Sequence, residues 1–449
     1  MNLKGWMKML KKLILINYRC FGRLELDLTK KKDEAKKIAV IYGENGSGKT
    51  TIISAIHFLH NTLGTMLYQE SIDDFVEKGQ IEHIDKDIIM DFLRSRHFFL
   101  EDDIRANKMI GSNDNMIIEF YFNKHNKDAY YKVEFSDDRV VSEELRYVRD
   151  NNTVEYFKIA NGYIKLNENV FSDTKYRDEL IDKIKRFHGK HTFLAILNKE
   201  IRTNNLNYLR AKIFRKLIYI YQELRDLHVW CKYSNFEEGH LTKKRMLSEL
   251  DEGIINENER AKLLRTEKAL SIYFSSLCSD IKSVSYEVEV EKRKLKYRLY
   301  FNKIINGEER MIPYFRESTG TIKLLGIFPY LYGFAIGHTV CIDEIDSGVH
   351  DLLMTDIIES IKQQAKGQLI ITTHNSHLMQ SVSPDELYLI KTNDNGDKYV
   401  ECVSEGRRIQ KNNNVEKLYL ERELGGAPNK ANIDFEEIER VINSRLITN

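Results

Sequence analysis

The stretch Gly43-Glu44-Asn45-Gly46-Ser47-Gly48-Lys49-Thr50 follows a short apolar run, Ile38 to Tyr42, and has the spacing G-x-x-x-x-G-K-[ST]. These residue types suit the holding of a row of phosphates. Glycines let backbone N–H groups close around the oxygens, Lys49 supplies a point charge, and the Thr50 hydroxyl can reach Mg²⁺. Thr51 to His60 reads as the helix that follows, its positive end aimed at the phosphates. Asn45, Gly46, Ser47, Gly48, Lys49, Thr50 and Thr51 are therefore the candidate nucleotide-binding set.

A second chemical element is Thr339-Val340-Cys341-Ile342-Asp343-Glu344, an apolar strand ending in two adjacent carboxylates. Asp343 is the candidate Mg²⁺ ligand beside Thr50, and Glu344 the candidate general base for the attacking water. The plainer alternative is a strand that ends in ordinary surface acids. A third element weighs against it: Gln368 to Thr373 is another apolar strand, ending at His374, 30 residues after Glu344, with a helix expected over Asp351 to Lys366. Two neighbouring parallel strands would then deliver their C-terminal ends to one nucleotide. His374 is placed to touch the γ-phosphate or the attacking water.

The elements that must position these groups are legible in outline. Met116 to Phe122, Tyr130 to Phe135 and Val140 to Val148 alternate apolar and polar residues, as half-buried antiparallel strands do. From about 170 to 282 the spacing becomes helical, as in Asn204 to Tyr233 and Glu257 to Ile281, without a sustained heptad. That argues for a compact helical lid rather than a long coiled arm. Strands return at Ser283 to Glu291 and Lys294 to Asn302.

Composition fits a globular chain of two or three domains: 449 residues, 42% hydrophobic and 31% charged, with only four prolines. A net charge of +1 demands neither nucleic acid nor an anionic membrane. Five dispersed cysteines, at 20, 231, 278, 341 and 402, read as reduced thiols and a cytoplasmic location. The four apolar residues after Lys12 are too few for a signal peptide. The longest apolar stretch, Leu324 to Gly337, spans 14 residues and contains Pro329, short of a membrane span.

With these motifs in place, the chain resembles the ABC-type ATPases of the RecF and SMC kind. Leu15-Ile16-Asn17-Tyr18-Arg19-Cys20-Phe21 is similar to their N-[FY]-R-x-F opening, Glu317-Ser318-Thr319-Gly320-Thr321 lies where their signature motif lies, and Ser347-Gly348-Val349-His350 occupies the D-loop position. Ser318 to Leu325, Asp343 to His350 and the late Tyr419-Leu420-x-x-x-Leu424-Gly425-Gly426-Ala427-Pro428 look like one bacterial branch. That branch holds ATPase subunits of anti-phage and abortive-infection systems, such as those resembling RloA, AbiL and the ATPase of PARIS. The signature lacks its leading Leu, first Gly and Gln, and His350 stands where most relatives have Asp. Gln69 and Gln80 are the two candidates for the Q-loop.

The resemblance implies an α/β, ABC-type ATPase head with an accessory antiparallel sheet and an inserted all-helical lid. Its parts would be 1–165 (N-terminal half with the phosphate loop), 166–282 (helical insertion), 283–405 (C-terminal half with signature, acid pair and His374) and 406–449 (tail). ATP and Mg²⁺ would be the cofactors. The partner would be a second copy of the chain, in a dimer or larger homo-oligomer, with Ser318, Thr319 and Gly320 reaching the nucleotide of the other protomer. Arg19 would touch the nucleotide, and Phe21 is as readily a packing residue.

Two basic clusters leave DNA open as a partner: Lys183, Lys185, Arg186, His188, Lys190 and His191, and Arg210, Lys212, Arg215 and Lys216. The plainer reading of both is a solvated helix face. Asp434, Glu436, Glu437 and Glu439 fall on one tail helix, without the strand-ended D-x-D of a nuclease. The expected function is thus an ATPase subunit of an anti-phage system that controls a separately encoded nuclease or toxin. The alternatives are a RecF-like DNA-repair ATPase and a nucleotide-gated assembly scaffold with little turnover.

Overall fold

The computed structural model describes residues 8–30, 34–77, 99–124, 127–149, 152–231, 245–406, 414–428 and 433–443. The chain begins with β1 (Lys8–Tyr18), β2 (Phe21–Asp27) and β3 (Ile38–Tyr42), then α1 (Lys49–Glu77) and α2 (Leu100–Asn107). Five strands follow: β4 (Met116–Lys124), β5 (Lys127–Phe135), β6 (Val140–Arg149), β7 (Asn152–Ala160) and β8 (Tyr163–Leu166). Next come α3 (Thr174–Phe187), α4 (Phe193–Thr203), α5 (Leu206–Lys212), α6 (Arg215–Arg225), β9 (Leu227–Trp230), β10 (Glu252–Asn256) and α7 (Arg260–Leu277). The C-terminal part runs β11 (Ile281–Glu291), β12 (Lys294–Ile305), β13 (Glu308–Pro313), α8 (Thr319–Ile336), β14 (Thr339–Ile342), α9 (Asp351–Gln364) and β15 (Gln368–Thr372). It closes with α10 (Leu378–Ser381), β16 (Leu387–Thr392), β17 (Lys398–Cys402), α11 (Val403–Gly406), α12 (Val415–Leu420) and α13 (Phe435–Asn443).

The fold is mixed α/β. Its central sheet has the order β17-β16-β3-β15-β14-β9, parallel except for the edge strand β17. Every residue of β3, β14 and β15 is buried, which is why those strands read as unbroken apolar runs. Successive side chains point to opposite faces, so each strand feeds two cores. Ala39, Ile41, Cys341 and Ile370 pack toward α1 and the seven-stranded antiparallel sheet β2-β1-β4-β5-β6-β7-β8. Ile38, Val40, Tyr42, Val340, Ile342, Leu369 and Ile371 pack toward α8, α9 and the sheet formed by β10–β13.

The strands expected over 116–148 and 283–302 are present as antiparallel β4, β5, β6, β11 and β12. The segment 166–282 departs from the all-helical expectation, because β9 and β10 interrupt it. The helical pattern from Asn204 stops at Arg225, and Leu227 to Trp230 pairs in parallel with Thr339 to Ile342 as the edge of the central sheet. Tertiary pairing overrides local periodicity in so short a run.

Within this segment α4 and α6 pack on α1, whereas α7 packs on β11. Asn198 Nδ2 donates to the Leu63 carbonyl at 2.7 Å, and His191 Nδ1 lies 3.0 Å from Thr65 Oγ1. Glu143 on β6, fully buried, accepts from the backbone N–H groups of Phe193 and Leu194 at the start of α4, satisfying donors that a helix end leaves open.

Helix α8 is long and apolar enough to cross a membrane by length and composition. Its Leu324, Leu325, Ile327, Phe328, Leu331 and Phe334 are packed in the second core. The tail helix α13 carries the expected Glu436, Glu437 and Glu439, has Asp434 accepting from the Glu437 N–H before its second turn, and buries none of its residues.

Candidate functional site

The phosphate loop turns off the C-terminal end of β3. Gly46 and Gly48 have φ of 75° and 110°, a left-handed backbone that glycine adopts without strain. A Cβ at Gly48 would also lie 2.6 Å from the Phe21 ring and 2.8 Å from Cys20 Sγ, so the β1–β2 turn forms the floor of the loop. This settles Phe21 as a packing residue, fully buried.

Arg19, with φ of 47°, is anchored elsewhere: its backbone N–H donates to the Asn107 carbonyl and its Nε to Asn107 Oδ1 at 2.8 Å. Asn45 is exposed and Thr50 half-buried, while Thr51 is buried with its hydroxyl 3.7 Å from Cys20 Sγ.

Lys49 opens α1 and is buried, its Nζ donating to the carbonyls of Gly43 at 2.7 Å and Glu44 at 3.0 Å. Burial lowers its pKa, against the opposing pull of Glu344, Asp343 and Asp346. The same three carboxylates thus act on the loop lysine through their charge. Ser47 Oγ, buried in the loop, has no hydrogen-bond partner. A buried hydroxyl left open in the loop that also carries Lys49 fits a phosphate oxyanion.

Strand β15 lies between β3 and β14, so the carboxylates of β14 and the histidine of β15 end on the same edge as the phosphate loop. Thr372, at the end of β15, joins the two acids: its Oγ1 donates to Asp343 Oδ1 and accepts from the Glu344 N–H. Asp343 is 3% exposed, and its own N–H donates to the Trp230 carbonyl on β9. Glu344 takes φ of 45°, unusual for a residue with a side chain. Its carbonyl accepts from Lys323 Nζ at 2.9 Å and from the Ser347 N–H at 3.1 Å.

Asp346 was not singled out by the sequence, yet it bridges two loops. One oxygen accepts from the His374 backbone N–H at 3.1 Å, and the other is buried without a partner. The imidazole of His374 is exposed. Among the described residues no cluster of three His, Cys, Asp or Glu could cage a metal. Mg²⁺ needs only one or two protein ligands and completes its shell with water and phosphate, and Thr50 and Asp343 are residues that could supply them.

Ser318 caps α8, accepting from the Thr321 N–H at 3.1 Å, and Thr319 beside it is exposed. Gly320 abuts the D-loop: a Cβ there would sit 2.5 Å from the Gly348 carbonyl. Position 320 therefore has no room for a side chain, whereas the side chain at 319 points to open surface. His350 likewise has a local role, its Nδ1 accepting from the Leu352 N–H as cap of α9. Among the described residues no hydrogen bond or ion pair joins Ser318 to Gly320 with the phosphate loop of the same chain.

Lys323, one turn beyond Ser318, lies in the Ser318 to Leu325 stretch but has no role assigned to it by the sequence. Its ammonium lies 3.5 Å from the centroid of the Trp230 ring, and burial pushes its pKa down to about 8 despite Asp346, Glu344 and Asp343. Only the approach of α8 to β9 and to the loop after β14 brings Lys323 to this place.

The late motif packs on the same edge. The Tyr419 ring lies 5.7 Å from that of Tyr42, and Glu416 accepts from Ser376 Oγ and lies 3.1 Å from His377 Nδ1. Lys398 Nζ donates to the Gly46 carbonyl at 2.5 Å. Gln69 lies on α1, and Gln80 falls outside the described residues.

The basic clusters are partly engaged with acids: Lys183 with Glu200 at 2.6 Å, Lys185 with Asp182 at 3.7 Å, His188 with Glu143 at 3.4 Å, and Lys212 with Asp173. Lys216 lies over the Tyr147 ring.

The family model described as "AAA domain, putative AbiEii toxin, Type IV TA system" matches residues 38–380. No curated protein matches the chain. Among solved structures, the SMC head bound to the C-winged helix domain of ScpA is 14% identical, covering 89% of this chain and 100% of that one with a TM-score of 0.46. The SMC head domain from Thermotoga maritima is 15% identical over 88% of this chain and 99% of its own, with a TM-score of 0.37. The Smc head with an extended coiled coil, bound to the C-terminal domain of ScpA derived from Pyrococcus furiosus, is 15% identical over 88% and 96%, with a TM-score of 0.41. With the match running from the strand before the phosphate loop to beyond His374, the chain belongs to the AAA-domain family of the putative AbiEii toxin, type IV toxin–antitoxin kind.

Proposed function

We propose that this chain is the ATP-binding and ATP-hydrolysing subunit of a bacterial anti-phage defence system, in which ATP-dependent closure of two or more copies controls a separately encoded nuclease or toxin. The observation that carries the ATPase reading is the convergence of Lys49, Asp343, Glu344 and Asp346 on one edge of the β3-β15-β14 sheet. The defence role is supported by the toxin–antitoxin description of the family.

Asn45 to Thr51 would cradle the triphosphate, and Thr50 with Asp343 would hold Mg²⁺. The metal, when bound, offsets charge on the β- and γ-phosphate oxygens. Glu344 would take the proton of the attacking water, and His374 would contact the γ-phosphate. Ser318 Oγ and the N–H groups of Thr319 and Gly320 would reach the γ-phosphate held by a second chain, so that ATP closes the assembly and hydrolysis opens it.

Glu344→Gln tests the reading. It should retain ATP binding and lose turnover by about 10²-fold or more, the size expected for a positioned base. Wild-type turnover in that variant would reassign the base.

A further inference from the structure

The signature helix has a connection into its own chain that the trans contact does not use. The Lys323 ammonium reaches across from α8 to the Glu344 carbonyl at 2.9 Å, while the Trp230 ring covers it at 3.5 Å. Glu344 needs such holding, because its φ of 45° is one that side-chain-bearing residues rarely adopt. The N–H of the same residue is fixed by Thr372 Oγ1 at 2.8 Å. Both ends of the backbone unit that carries the base are thus tied, one to β15 and one to α8.

The second link is steric. Gly320 lies so close to the Gly348 carbonyl that no Cβ fits between them, so the start of α8 and the D-loop form one contact surface. A displacement of α8 therefore reaches the residues on both sides of Asp346, through Lys323 on one side and through Gly348 on the other.

We infer that Lys323 is a positioning residue for Glu344, through which seating of the signature on a partner's nucleotide sets the base of the signature's own chain. The inference rests on the proposed ATPase reading and deepens it: each site senses whether the other is occupied. Lys323 does not touch the nucleotide in this scheme. Its removal changes how well the base is placed and leaves the phosphate loop as it was.

The experiment compares Lys323→Met and Lys323→Arg in the full chain. Lys323→Met should lower kcat at least about tenfold with KM for ATP within about twofold, the split expected when a transition-state group is misplaced and ground-state binding is untouched. Lys323→Arg keeps a charged donor that can stack on Trp230, and should recover most of the rate. Hydrogen exchange gives a readout without turnover: the amides of Glu344 to Ser347 should exchange faster in Lys323→Met and return toward wild type in Lys323→Arg.

Mixing Lys323→Met with Lys49→Ala distinguishes the route. The live site then combines the Lys323→Met base with an unaltered partner signature, and it should stay slow. Full activity in that mixture would place Lys323 in the trans contact and overturn the inference. So would unchanged kcat and exchange in Lys323→Met, or an equal loss in Lys323→Arg. Absence of turnover in the unsubstituted chain would instead overturn the ATPase reading, and the exchange result would still decide whether Lys323 holds the Glu344 loop.

Discussion

Thr372 and Asp343 share a hydrogen bond of 2.6 Å, donated by the threonine hydroxyl to a carboxylate that is 3% exposed. The same oxygen accepts from the Glu344 N–H, so one side chain on β15 orients both acids of β14. Thr372→Val keeps the shape and removes both bonds. It should cost about 1.5–3 kcal/mol of stability, the range for a buried bond to a charged group. It should also slow ATP hydrolysis by roughly tenfold or more. Thermal unfolding and steady-state rates measure the two effects, and a variant unchanged in both would mean that the acids are held by other contacts.

The loop lysine should matter for binding itself. Lys49→Ala removes a charge that meets the phosphates before and during reaction, so ATP affinity should fall together with turnover. Calorimetry showing wild-type affinity in this variant would remove the phosphate-loop assignment.

The proposed assembly rests on one phosphate loop and one signature-like segment per chain. Glu344→Gln with ATP and Mg²⁺ should sediment as a dimer or larger symmetric oligomer. Ser318→Arg should block that closure while leaving the fold intact, since Ser318 is exposed at the start of α8. A mixture of Ser318→Arg with Lys49→Ala should regain only a small part of the activity: one interface then pairs an intact loop with an intact signature, but the signature of the chain that carries the live loop is not seated on a nucleotide. A strict monomer under trapping conditions, with full turnover in Ser318→Arg, would leave a self-contained enzyme.

Asp103 on α2 provides a pH signature of the core beneath the β1–β2 turn. Burial raises its pKa to about 7, partly offset by the hydrogen bond from Asn61 and the charge of Arg19, with Asp102 acting in the raising direction. A carboxyl whose folded pKa is raised stabilises the fold at pH below its unfolded value, and that contribution is lost as pH rises through the folded value. The wild type should therefore lose stability between about pH 4 and 7 relative to Asp103→Asn, by at most about 4 kcal/mol. Denaturant titrations at pH 5 and pH 8 measure the difference, and parallel pH profiles for the two proteins would show that Asp103 is not buried as an acid.

Much of the site was legible because its chemistry is contiguous in sequence. Gly43 to Thr50, Asp343-Glu344 and His374 each end an apolar strand, and a fully buried parallel strand leaves a plain signal. What joins them was not legible. Thr372 reads as one more β-branched strand residue, Asp346 as a surface acid, and Lys323 as a charge on a helix. Each acquires its role from a neighbour far along the chain. The strand β9 escaped notice for the same reason: four residues following a helical pattern carry too little periodicity, and only the open edge of β14 makes them a strand. Within 166–282, helices form where the apolar spacing is long, as in α3 and α7, and short runs such as β9 and β10 are recruited by sheet edges.

The strand that carries the phosphate loop is flanked on both sides by strands made much later. β3 pairs with β15 and β16, and its surroundings are closed by bonds such as Leu10 to Gln368 and Lys36 to Tyr388, separated by 358 and 352 residues. During synthesis the loop sequence emerges early, yet its supporting sheet cannot close until residues beyond 387 have left the ribosome, and such long-range pairing is slow to form. Nucleotide competence therefore arrives near the end of translation, and chains truncated before Gln368 should fail to retain an ATP analogue. A chain whose phosphate loop gains its flanking strands only with residues 368–392 cannot hold the nucleotide in its native setting while half made.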